Sequence, residues 1–171
     1  TESKSGYFDT PEVRNVVEFL KVIDNPMQDI PLFGVMTSVF GGFLDEEMAV
    51  IKAFGNENGI TEQLYDVVKL YSLQKDDEIA KKTAVFLEML NGYRRKARFM
   101  PIRELLQQLF IQFNYVAIVS AMHGGEQRRA NVELLLQKGM MPPVFMSANT
   151  DAGDEANECV LEIYKGKIPS L

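Results

Sequence analysis

The sequence predicts a mainly α protein, an irregular multi-helix bundle with at most one short strand pair. Three observations predict it. Apolar side chains recur at three- and four-residue spacing through most of the chain. Acidic residues gather where such stretches begin, and proline or glycine stands where they stop. The 171 residues, 46% hydrophobic and 25% charged, have ordinary globular composition and suffice for one domain or two small ones.

The first helix opens with Thr10 as N-cap, Pro11 in the first helical position and Glu12 in the first turn. Val13, Val16, Val17, Leu20 and Ile23 share one face, and Pro26 stops the helix because the residue before a proline avoids helical backbone. Residues 29–40 read as a short helix with Leu32, Val35, Met36 and Val39 inward, ended by Gly41 and Gly42. Asp45, Glu46 and Glu47 open the next, with Met48, Ile51 and Phe54 inward and Gly55 as a C-cap signal. Thr61 is placed to cap a helix presenting Leu64, Val67, Val68 and Tyr71.

A long helix is expected over 76–98, with Ile79, Thr83, Phe86, Leu87 and Leu90 inside and Gly92 as its weak point. Its acids lie at the start and its bases at the end, as the helix dipole favours. Pro101 starts a helix that buries Leu105, Leu106, Leu109, Phe110 and Phe113. Residues 115–122 fit strand or helix, since a short apolar run does not distinguish them. Gly124 and Gly125 break the chain, and Glu126 opens a helix through Val132, Leu135 and Leu136 to Lys138, closed by Gly139. Beyond it, residues 140–146 read as a short strand, 147–153 as a polar turn and 156–164 as one more helix.

Charge is uneven. Residues 1–91 carry 8 basic and 16 acidic side chains, residues 92–138 carry 8 and 3, and residues 139–171 carry 2 and 5. A net charge of −6 argues against a protein that simply coats nucleic acid, while the basic middle block is an interaction surface or a partner for the acids before it. The single cysteine, Cys159, permits no internal disulfide and suits a reducing, cytoplasmic setting. No apolar run approaches the roughly 20 residues a spanning helix needs, so no membrane partner is expected.

No catalytic residue is readable. A phosphate-cradling loop would end in Gly-Lys-Ser/Thr, and the one Gly-Lys pair, Gly166 and Lys167, is followed by Ile168. One histidine and one cysteine do not make a zinc site. His123 is the sole candidate base for a serine nucleophile, and the nucleophile elbow that should accompany it is missing. The acids at 45–47 and 76–78 are explained by helix starts. Asp151, Asp154 and Glu155 could hold a divalent cation weakly, without the spacing of a calcium loop. The candidates for phosphate contact are basic: Arg94, Arg95, Lys96, Arg98 and Arg103 around one helix end and the turn after it, and Arg128 and Arg129 in the first turns of the helix behind the double glycine.

Three segments then point to one family. They are Gly6, Tyr7 and Phe8 with Glu12 and Val13, running on to LKVIDNPMQDIPL at 20–32; the acid-rich helix start after Gly42 and Phe43; and GGEQRRANV at 124–132. Together they resemble the AddA (RexA) subunit of bacterial ATP-dependent helicase–nucleases, of the UvrD/RecB-like superfamily 1 helicases. The resemblance implies that residues 5–138 form the helical 2B-type accessory domain, inserted in the second motor domain of a longer parent chain, with 139–171 as a divergent tail. It also implies work in double-strand-break repair and recombination, contact with duplex DNA or with the motor domains, and an AddB/RexB-type partner subunit. ATP and Mg²⁺ would belong to the parent; no cofactor or metal is expected on this stretch. Thr37, Ser38, Val39 and Phe40 stand where the family has Arg-Ser-Pro, and the tail departs from the family pattern. The competing reading is a helical protein-interaction module that binds no nucleic acid.

Overall fold

In a computed structural model, residue 7 and residues 9–60 and 62–138 are described. Eight α-helices lie among the described residues: α1 (Pro11–Asp24), α2 (Asp29–Thr37), α3 (Asp45–Glu57), α4 (Leu64–Gln74), α5 (Glu78–Lys96), α6 (Ile102–Gln112), α7 (Tyr115–Ala121) and α8 (Gly125–Lys138). No strand occurs among the described residues. The protein is mainly α, as its periodicity predicts. The expectations for Thr61, Gly139, the strand at 140–146, the turn at 147–153, the helix at 156–164 and the Asp151, Asp154 and Glu155 group lie outside the described residues, as does Cys159.

The chain divides into two compact units: residues up to 17 with those from 96 on, and residues 18–95. In the second unit, α3 packs on α4, and α4 on α2. Its core is aromatic at the joints. Phe19 meets Phe40 and Tyr93 with ring centroids 5.2 and 5.4 Å apart, Phe43 meets Phe86 at 5.8 Å, and Phe54 meets Tyr71 at 5.1 Å. Three of these pairs are edge-on, the arrangement the ring quadrupole prefers. In the first unit, α6 packs on α7 and α8, and α7 on α8. Val13, Val16, Val17, Leu105, Leu106, Leu109, Val119, Val132 and Leu135 fill its core.

Several expectations are corrected. α2 stops at Thr37 rather than running to 40, because the Ser38 hydroxyl turns back onto the Val35 carbonyl at 2.7 Å; Val39 therefore leaves the inward face and is exposed. Gly55 is not a C-cap. It lies inside α3 against Val67, and the turn after the helix is made by Gly59 at φ +71°. α5 runs through Gly92 without a break and buries Ala80 and Tyr93 rather than Ile79 and Leu87, which are half-buried. Leu64, Phe113 and Leu136 are also only half-buried, and residues 115–121 are helix. α1 buries Phe19 and Val22 besides the predicted face.

Both acidic triplets start helices as expected. Glu47 reaches back to the Leu44 N–H at 2.8 Å and pairs with Lys82 at 2.6 Å. Asp77 accepts the Ala80 N–H and the Tyr71 hydroxyl, both at 2.7 Å, so it caps α5 and ties it to α4. The Tyr71 hydroxyl bond, with the Ala80 N–H, holds the Asp77 carboxyl below its ordinary range. Burial, helped by Asp77, pushes the Tyr71 phenol up to about 12.

Candidate nucleic-acid interface

α5 carries its bases to the turn before α6, and the turn is hydrogen-bonded. The Lys96 carbonyl accepts the N–H of Phe99 at 3.0 Å and of Met100 at 2.9 Å. Pro101 then stands at the N-cap of α6 with φ −57°. Around this turn Lys96 donates to the Gln108 amide oxygen at 2.9 Å. Arg98 is exposed, and Arg103 is half-buried with its Nε shielded from water and unpartnered. No carboxylate lies within ion-pair distance of either arginine among the described residues. From Met89 to Arg103 the sequence holds no acidic residue. Neither arginine is ion-paired there among the described residues, while Glu104 follows directly in the first turn of α6. Arg94 and Arg95 belong to the other unit: Arg94 Nε donates to the Ile23 carbonyl at 3.2 Å, at the C-terminal end of α1, and Arg95 is exposed.

The two arginines behind the double glycine are differently occupied. Gly124 has φ +71°, and a Cβ on Gly125 would strike the Ser120 carbonyl, so the turn from α7 to α8 requires glycine at both positions. That turn delivers Arg128 to Glu12. Arg128 Nη1 meets Glu12 Oε2 at 2.7 Å, and Arg128 Nε donates to the His123 carbonyl at 2.9 Å. Asn131 Nδ2 donates to Glu12 Oε1 at 2.8 Å, and the Tyr115 hydroxyl to the Glu12 carbonyl at 2.6 Å. Gln127 steadies Asn131 at 3.0 Å, and the Tyr7 hydroxyl donates to the Asn131 carbonyl at 2.7 Å. Glu12 is 4% exposed. Burial alone would raise its pKa. The bonds from Asn131, its own backbone and Thr10, with the Arg128 charge, outweigh that and hold the carboxyl below its ordinary range. A phosphate reaching Arg128 would have to share it with Glu12. Arg129 pairs with Glu133 one turn on, at 2.7 Å.

Sequence reading placed Glu12 as a dipole acid and missed that it anchors this network; its distance of 116 residues from Arg128 leaves no local signal. It also passed over Phe99, 90% exposed between Arg98 and Pro101. An aromatic off the apolar face of either flanking helix and beside an arginine was the available signal. His123 is exposed, and its carbonyl serves Arg128. Among the described residues no three His, Cys, Asp or Glu side chains gather as a metal site, and no helix is long and apolar enough to cross a membrane.

The second unit has a groove of its own, about 310 Å³, lined by Ile30, Phe33, Met48, Ile60, Leu64 and Val67 with Asp29, Lys52, Asn56 and Gln63 among them. Ile30 is 83% exposed there, and Asp29 Oδ1 accepts the Leu64 N–H at 2.9 Å, pinning α2 to the start of α4.

No family model matches the chain. Curated relatives do. The AddA-type ATP-dependent helicase/nuclease subunit of Thermoanaerobacter sp. (strain X514) is 38% identical over 137 residues, 80% of this chain and 11% of that protein. The protein of the same name from Clostridium acetobutylicum is 37% identical over 137 residues, 80% of this chain and 10% of its own length. That of Clostridium botulinum is 31% identical over 159 residues, 80% of this chain and 12% of its own. The chain spans about a tenth of the length of these relatives. Over 80% of its length the chain belongs to the AddA family of ATP-dependent helicase/nuclease subunits, as the counterpart of one segment of such a protein.

Proposed function

We propose that residues 5–138 are a non-catalytic accessory domain, of the 2B type, in an ATP-dependent helicase–nuclease that works in double-strand-break repair and recombination. In this reading the domain guides DNA through the basic turn at 96–103. The longer protein supplies ATP hydrolysis with Mg²⁺ and joins an AddB/RexB-type subunit. One observation carries the reading: the likeness covers most of this chain but only about a tenth of each relative. The geometry agrees with an inserted domain. Tyr7 and Lys138, near the two limits of the proposed domain at 5–138, lie together, with Lys138 Nζ 5.0 Å from the Tyr7 ring centroid. A domain set into a host loop needs both connections at one place.

The test is binding of the full 171-residue chain to a forked duplex across a salt series. Affinity is expected to fall linearly on logarithmic axes, and Arg98→Ala to reduce the slope by about one. Absence of binding at low salt would overturn DNA contact. The apolar groove favours a second reading, docking of another protein segment on Ile30 and Phe33. There, Phe33→Asp would weaken association with the remainder of the helicase–nuclease and leave DNA affinity intact.

A further inference from the structure

Phe99 has no folding reason to be where it is. Burying a phenylalanine side chain is worth roughly 1.5–3 kcal/mol, and this one, 90% exposed, forgoes nearly all of it. The ring is nonetheless not on a loose loop. Its own N–H and that of Met100 both close onto the Lys96 carbonyl, and Pro101 fixes the next backbone angle. The turn thus holds an aromatic face out to solvent at the point where Lys96, Arg98 and Arg103 concentrate positive charge, in a stretch of sequence free of acids. Cations that track phosphates beside a ring that takes a base are the two components of single-strand recognition.

We infer that Phe99 stacks on an unpaired or terminal nucleobase of DNA whose phosphates are held by Lys96, Arg98 and Arg103. This rests on the DNA-contact reading above and narrows it. In a continuous duplex both faces of each base are covered by its neighbours, so the ring finds a partner only where pairing has ended. The turn therefore senses open ends and unwound strand, while the cations alone attract any duplex. An apolar protein surface is the less favoured partner, because it would leave the two arginines beside it without phosphates or carboxylates to face.

The chain contains no tryptophan, so Phe99→Trp installs a sole indole reporter at an exposed position. Full-length chain carrying it is titrated with a single-stranded oligonucleotide and, separately, with a relaxed covalently closed duplex circle. Indole fluorescence is expected to be quenched by the strand and not by the circle. Phe99→Ala and Phe99→Leu are expected to weaken strand binding about tenfold or more, with circle binding unchanged. Arg98→Ala is expected to weaken both. If Phe99→Ala leaves strand affinity unchanged while Arg98→Ala lowers it, stacking is wrong and DNA contact stands. If the unsubstituted chain binds neither DNA, the function proposed above fails as well. If Phe99→Ala lowers affinity for the remainder of the helicase–nuclease and not for the strand, the ring is a protein contact.

Discussion

A carboxylate nearly closed off from water, as at Glu12, survives folding only because each oxygen is matched. Asn131 takes one and Arg128 the other, and the guanidinium itself stays partly in contact with solvent. Taking away one partner of such a pair costs more than the pair contributes, because the remaining charge is left buried. Arg128→Ala is therefore expected to destabilise the protein by roughly 3 kcal/mol, read from the urea midpoint. A loss below about 1 kcal/mol would show that water reaches Glu12 after all. The same carboxyl sets an acid dependence. Its folded pKa lies below the unfolded value near 4.3, so its contribution is full above that pH and is lost as pH falls through the lower folded value. Glu12→Gln should flatten the stability profile in that window, although Glu47 and Asp77, also lowered, keep part of the slope.

At the scale of elements, helix existence was legible and helix ends were less so. The apolar faces of α1, α3 and α6 follow directly from spacing, and Asp77 and Glu47 serve the helix starts their positions suggested. The misses have local causes. Ser38 unwinds α2 early by taking a backbone carbonyl, and Gly55 is a packing glycine against Val67, a reason that periodicity does not see. The turn between α7 and α8 gives the clearest test. Gly125→Ala places a methyl on the Ser120 carbonyl, and one chain segment or the other has to shift. The expected loss is about 2–3 kcal/mol in thermal or urea unfolding. Gly124→Ala strains only the backbone and is expected to cost less, about 1–2 kcal/mol.

At the scale of the molecule, the family was legible in three runs of residues, and two of those runs meet in the structure. The run around Glu12 and the run around Arg128 are the two halves of one hydrogen-bonded network. The basic turn was legible as charge, while the exposure of Phe99 and the prior engagement of Arg128 required three dimensions. If the network joins the two arms of the chain, Tyr7→Phe should loosen them by removing one bond to the Asn131 carbonyl, at about 1 kcal/mol. Faster amide exchange confined to α8 and the start of α1 would report it, and unchanged exchange there would count against the joint.

The meeting of those arms also has a mechanical meaning. A tension applied between residues 7 and 138 has a shorter route than the intervening chain. It runs from Tyr7 into Asn131, and from Glu12 into Arg128, and returns through α8 to Lys138. The residues between Glu12 and Arg128 lie outside that shorter route.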